Sequence, residues 1–343
     1  MIDAICKEIE LQKEYLNGAK IETIYFGGGT PSLLDLADFE LIFNAIAKHH
    51  SLSGVKEITI EANPDDLNLV KLKELKTTLI NRFSIGIQSF YDDDLKFINR
   101  AHTSSEAENC VKLTQDSGFE NITIDLIFGI PTLTNEKWKS NIEKALSLDI
   151  PHLSCYALTI EEKTVFGNWL KKGKINVSDD DTVNNQFELL MNLSAKAGFE
   201  QYEISNYAKE NYRAVHNTNY WKGIKYLGIG PGAHSFDGVS RQYNIANNPQ
   251  YIQSINEGRL NFDKEILTKA NQLNEYIMTS LRTSWGCDLN FINKIYSVDL
   301  MNLNKNYIQQ AIISGLLIIE NNYLYLTKKG KLISDSISSQ LFV

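Results

Sequence analysis

The sequence predicts an α/β protein in which strands and helices alternate over the first 205 residues, with a small helical region at the C-terminus. Three observations carry this. Short runs rich in β-branched and aromatic residues alternate with amphipathic stretches of helical period. Turns of a few residues separate them, as right-handed βαβ units require. Nearly every run also ends in glycine or polar residues, which places these groups at one rim.

Taken in order, residues 2–16 have the pattern of an amphipathic helix of mixed charge, and 21–26 of an apolar strand. Helices are expected over 37–49, 67–79, 104–117, 138–148 and 180–197. Strands are expected over 57–62, 82–88, 122–128, 152–157 and, last, 201–204. The strands are apolar along their length, as parallel strands covered on both faces are. Such units close into a barrel or lie as an open doubly wound sheet.

Composition sets the bounds. Of 343 residues, 43% are hydrophobic and 22% charged, which is ordinary for a globular protein. No apolar run reaches the roughly 18 residues of a membrane span, and the N-terminus lacks a basic segment followed by an apolar core. The cytoplasm is therefore the expected location. A net charge of −8 argues against general nucleic-acid binding. Cys6, Cys110, Cys155 and Cys287 are scattered, with no CxxC or CxxxCxxC pair, so they support neither a disulfide framework nor a thiolate metal site.

The strand ends carry the chemistry. Phe26 is followed by Gly27-Gly28-Gly29-Thr30-Pro31-Ser32, a loop whose glycines admit positive φ and bring main-chain N–H groups close to a ligand. The others read Glu61-Ala62-Asn63-Pro64, Gly86-Ile87-Gln88-Ser89, Asp125-Leu126-Ile127-Phe128-Gly129 and Tyr156-Ala157-Leu158-Thr159. A rim gathering Thr, Glu, Gln and Asp suits a ligand rich in hydroxyl and amine groups. Singly, Asn63-Pro64 is a common turn opener and Asp125 a common helix cap.

Residues 206–260 read as a looser connecting region dense in His, Tyr, Trp and Asn. It contains His216-Asn217-Thr218-Asn219-Tyr220-Trp221 and Gly228-Ile229-Gly230-Pro231-Gly232-Ala233-His234. Residues 261–343 show helices over 268–283, 289–295 and 304–314, then two strands across Asn321-Asn322, a winged-helix-like order. Eight Lys/Arg against seven Asp/Glu there make no basic face, which favours a structural or docking role.

Together these strand ends resemble the radical SAM superfamily, in the branch that holds oxygen-independent coproporphyrinogen III oxidase and the HemW-type haem chaperones. The resemblance implies a partial (β/α)6 barrel over 1–205, the haem motif and connector over 206–260, and a C-terminal winged-helix domain over 261–343. It implies that Gly28, Gly29, Thr30, Glu61, Gln88, Arg100 and Asp125 meet S-adenosylmethionine (SAM), with Thr159 near the adenine. His216-Asn217-Thr218-Asn219-Tyr220-Trp221 matches the HNxxYW signature of the haem chaperones. That implies His216 as ligand to haem iron, with His234 a weaker second candidate.

The expected function is therefore haem binding and transfer to acceptor haemoproteins. The enzymatic alternative is oxidative decarboxylation of coproporphyrinogen III. Peripheral membrane association, oligomeric state and covalent attachment of haem stay open.

The superfamily also holds a [4Fe–4S] cluster on a CxxxCxxC loop ahead of the first barrel helix. This chain begins within that helix, so the cluster cysteines and the first strand are absent from it. We expect roughly 30–40 upstream residues to supply them, on the family's pattern. The edge of strand 21–26 is then expected to be open, or covered by the N-terminal helix or a second chain.

Overall fold

The structure is a computed structural model that describes residues 1–343, the side chain of Val165 apart. Its first half runs α1 (Ile2–Leu11), β1 (Thr23–Phe26), α2 (Leu36–His49), β2 (Glu57–Ala62), α3 (Leu69–Lys76), β3 (Arg82–Gln88), α4 (Asp92–Phe97) and α5 (Ser104–Asp116). There follow β4 (Ile122–Phe128), α6 (Asn135–Ser147), β5 (His152–Ala157), α7 (Val165–Lys171), α8 (Asp180–Lys196), β6 (Glu200–Gln201), β7 (Asn206–Ala208) and α9 (Val215–Trp221). Next are β8 (His234–Phe236), β9 (Ser240–Asn244), α10 (Asn248–Asn256), β10 (Phe262–Ile266), α11 (Lys269–Leu281) and β11 (Cys287–Asp288). The chain closes with α12 (Leu289–Tyr296), α13 (Leu300–Leu303), α14 (Lys305–Ile313), β12 (Leu317–Glu320), β13 (Tyr323–Leu326), α15 (Lys328–Lys331) and α16 (Ser334–Gln340).

Two compact units result: one of Tyr25–Leu33 and Ile58–Arg213, the other of Met1–Ile24, Leu34–Glu57 and Ala214–Val343. The largest sheet has the order β1-β2-β3-β4-β5-β7-β6. Strands β2 to β5 pair in parallel, and β7 is antiparallel to β5. Ile60, Phe83, Ile85, Ile87, Ile122, Ile124, Leu126 and Leu153 are fully buried and give these strands their apolar, β-rich character. Behind β4, Phe128 packs on Trp138 and Phe187, and the Trp138 indole donates to the Gln186 carbonyl. Helix starts follow sequence signals: Asp35 and Asp38, and Thr103 and Glu106, form capping boxes.

Four expectations need correction. The strand expected over 201–204 is part of a hairpin of β6 and β7, of which β7 pairs antiparallel with β5 and β6 lies outside it. Glu203 closes its turn by accepting from Ser205 N–H and Asn206 Nδ2. The helix expected over 2–16 ends at Leu11, and the chain then turns through Asn17 and Gly18 at positive φ. The helix expected over 67–79 is confined to Leu69–Lys76 by the Asn68 cap. Finally, the region 206–260 is not loose: it holds α9 and α10, and its strands β8 and β9 form a sheet with β10. The expected hairpin at Asn321-Asn322 is present, with both residues at positive φ.

β1 ends the order of the large sheet, and among the described residues no strand pairs with it on its other side. Among the described residues, no helix is long and apolar enough to cross a membrane.

Candidate functional site

In the unit of Tyr25–Leu33 and Ile58–Arg213, four strand ends and two loops meet around a pocket of about 260 Å³. Its lining includes Gly29, Thr30, Glu61, Gln88, Arg100 and Asp125, six of the eight positions expected at a SAM site. Gly28 is outside the lining, but its N–H donates to Glu61 Oε2 at 3.3 Å. Thr159 does not line this pocket; it is exposed in the loop after β5.

Gly28 and Gly29 have φ of 73° and 75°, which only glycine adopts without strain. The loop is tied down on both sides. Tyr25 Oη donates to Glu61 Oε1 at 2.6 Å, and Ser32 Oγ donates to Asp66 Oδ2 at 2.8 Å. Asn63 Nδ2 joins the same Asp66 oxygen at 3.1 Å, so Asn63 does more here than open a turn.

Arg100 reaches the pocket from the loop after α4. Its Nη2 donates to Asn63 Oδ1 at 2.7 Å and to the Gly86 carbonyl at 3.1 Å. A Cβ on Gly86 would lie 2.9 Å from that nitrogen and 2.8 Å from Gln88 Nε2, so a side chain there would displace both groups. Gln88 sits at a register shift between β3 and β4, with φ of 66°, a left-handed conformation rare for a side-chain-bearing residue. The network behind it anchors that turn: buried Asp94 accepts from Ser89 and Thr132, and Asn141 donates to Ser89 Oγ.

Both oxygens of Asp125 accept from Ser84 Oγ, at 3.1 and 3.2 Å. Burial, with the Glu61 charge adding to it, pushes the Asp125 carboxyl up to about 7. The pocket thus sets two carboxyl groups and one guanidinium around a polar space, which suits a zwitterion with an extra positive centre. SAM is such a molecule, and the residues present fit it.

A [4Fe–4S] cluster is not fitted by this chain. Cys110, Cys155 and Cys287 are buried, and burial pushes their thiols up, away from the thiolate a cluster needs. Among the described residues there is no group of three His, Cys, Asp or Glu able to hold a metal ion.

The second candidate lies in the other unit, on α9. This helix lacks a capping side chain of its own, because Ala214 stands at the cap. Buried Glu57 replaces it: one carboxylate oxygen accepts from Val215 N–H at 2.7 Å and the other from His216 N–H at 2.9 Å. His216 Nδ1 lies 2.9 Å from Thr23 Oγ1, and burial holds the imidazole below its ordinary pKa, which favours the neutral ring. Four residues on, one helical turn away, is Tyr220. His234 is exposed on β8, its ring edge-to-face with Tyr243 at 4.7 Å between ring centroids. Glu57, Thr23, Asn63, Ser84 and Tyr25 went unmarked as site residues in the sequence: Asn63 read as a turn opener beside Glu61, and the other four only as strand residues.

Residues 6–145 match the radical SAM superfamily, and residues 267–333 match the HemN C-terminal domain. The chain is 34% identical over 330 residues to the heme chaperone HemW of Lactococcus lactis, covering 96% of this chain and 86% of that one. To the heme chaperone HemW of Bacillus subtilis it is 34% identical, covering 92% and 84%, and to that of Escherichia coli 31% identical, covering 98% and 88%. Its fold matches coproporphyrinogen III oxidase (HemN) of E. coli with a TM-score of 0.83 at 20% identity, over 99% of this chain and 82% of that one.

Proposed function

Since the chain belongs to the radical SAM superfamily and, within it, to the HemW family, we propose that it is a haem chaperone that binds haem through His216 and hands it to acceptor haemoproteins. The observation that carries this is the mounting of His216. When Nδ1 donates its proton to Thr23 Oγ1, the lone pair is on Nε2, the atom that an imidazole offers to haem iron. A hydroxyl accepting at the far nitrogen also raises ligand basicity and fixes the ring. The Glu57 cap holds the backbone of the same residue.

The likeness to the oxidase, at 20% identity, supports the fold and not that activity. Ferric haem titrated into the chain is expected to give a Soret band characteristic of imidazole ligation. His216→Ala should lose that band and weaken binding by roughly tenfold or more, the scale of a lost iron ligand. An unchanged spectrum in His216→Ala would overturn the assignment.

The superfamily implies SAM and a [4Fe–4S] cluster, which together generate a radical when both are bound. For SAM, Glu61 and Asp125 would hold the cationic groups, Arg100 the carboxylate, and the N–H groups of the glycine loop would orient the methionyl end.

Asp125 gives this reading a pH signature. Its carboxyl is neutral below about 7 and anionic above, and the anion holds a cation more tightly. SAM affinity relative to Asp125→Asn should therefore rise by up to about tenfold between about pH 6 and about pH 8, as the ionised fraction climbs. Equilibrium dialysis across that range checks it; a level ratio would remove Asp125 from the site.

A further inference from the structure

The seven-residue helix that carries His216 has no buried residue. A helix this short is not stable alone, and without an apolar face it must be held from outside. Its N-terminal end is held by Glu57 and by Thr23 on His216, and its middle by Glu22, which accepts from Asn219 Nδ2 at 3.4 Å. Its C-terminal end is held differently. The Trp221 indole N–H donates to Asn217 Oδ1 at 3.0 Å, one turn back and next to His216. Over the Trp221 ring lies the guanidinium of Arg282, 5.2 Å from the centroid.

Arg282 is the residue that ends α11, and its Nη1 donates to Asp335 Oδ1 of α16 at 2.9 Å. Its side chain is only 19% exposed, and its Nε is buried with no hydrogen-bond partner. A guanidinium so far removed from water binds an aromatic face more strongly than an exposed one. A second pair runs in the reverse sense: Lys222, at the end of α9, sits 5.4 Å from the ring of Trp285, three residues beyond Arg282. Both cations stand where the carbonyl end of the helix dipole favours positive charge.

We infer that the C-terminal segment serves as the positioning element of the haem helix. Arg282, a positioning residue that acts through Trp221 and Asn217, fixes the helix register and with it the orientation of the His216 ring. This gives the α11–α16 segment a task for which it needs no ligand of its own. The inference rests on the reading of His216 as the iron ligand.

The test compares the full chain with Arg282→Gln, Arg282→Lys and His216→Ala. Ferric haem is titrated by absorbance, spin state is read by electron paramagnetic resonance, and amide hydrogen exchange over 217–224 is measured without haem. Arg282→Gln is expected to bind haem about tenfold more weakly, to change the spin-state ratio, and to exchange faster over that segment. Its Tm should stay within about 2 °C of the parent, and Arg282→Lys should restore most of each readout.

Unaltered exchange in Arg282→Gln would overturn the inference whatever haem does. Faster exchange with parent-like haem spectra, while His216→Ala loses its signature, would overturn it too. A His216→Ala spectrum identical to the parent would instead sink the ligand assignment, and the exchange data would then decide separately whether Arg282 holds the helix.

Discussion

Replacing Glu8 by alanine is expected to destabilise the protein by about 3–5 kcal/mol, from stranded buried donors and the cavity left behind. Glu8 is 1% exposed and has no cationic partner in its cage. Four neutral donors surround it instead. Gln12 Nε2 and Asn244 Nδ2 donate to Oε1 at 2.8 and 2.6 Å, and Gly230 N–H and Tyr251 Oη donate to Oε2 at 2.7 and 2.6 Å. A carboxylate buried without a counter-charge is tolerable only when its lone pairs are satisfied in this way. Removing it strands four donors and opens a cavity beside Ala4, Tyr251 and Ile255. Because Asn244 also donates to the Gly230 carbonyl, the glycine-rich turn at 228–232 should loosen with it. Urea unfolding measures this; a loss below about 1 kcal/mol, the worth of one ordinary hydrogen bond, would show that the cage is not an anchor. Glu8→Gln keeps the shape but turns a donor toward two others, and should fall between parent and alanine.

Glu61→Ala should have the largest effect on the SAM pocket. Glu61 binds Tyr25 Oη and the Gly28 N–H, so it shapes the glycine loop as well as offering charge to the ligand. Loss of one charge-assisted contact is worth about 1.5–3 kcal/mol, or roughly tenfold to a hundredfold in the dissociation constant for SAM. Equilibrium dialysis with labelled SAM reads it directly. A dissociation constant within about twofold of the parent would be far below that range and would exclude Glu61 as a ligand contact. Tyr25→Phe separates the two roles: it frees the Glu61 carboxylate from one donor while leaving its charge, and should weaken SAM binding far less.

Much of the large sheet was legible. Strands over 57–62, 82–88, 122–128 and 152–157 appear at the residues expected, because each is mostly buried and rich in apolar and β-branched residues bounded by turn residues. The Asn321-Asn322 hairpin was legible because a two-residue turn at positive φ favours asparagine on local grounds. The rim positions Gly29, Thr30, Glu61, Gln88, Arg100 and Asp125 do come around one pocket. Thr159 is exposed in the loop after β5 and outside that lining, while the neighbouring Leu158 N–H donates to the Phe128 carbonyl of β4 at 2.8 Å. The β8–β9–β10 sheet was missed. Its strands are polar, and β10 is exposed along its length, so pairing across 18 or more residues holds it rather than an apolar period.

The order of strand ends, the HNxxYW run and the helical C-terminus were thus present in the residues, since apolar period, glycine and turn chemistry act within a few positions of the chain. What holds the functional groups in place was not. Glu57 caps a helix 158 residues away, Glu8 meets Gly230 across 222, and Arg282 covers Trp221 from another helix. A buried polar group shows its purpose only beside its partners, because its desolvation is tolerated or costly according to contacts the linear order does not record.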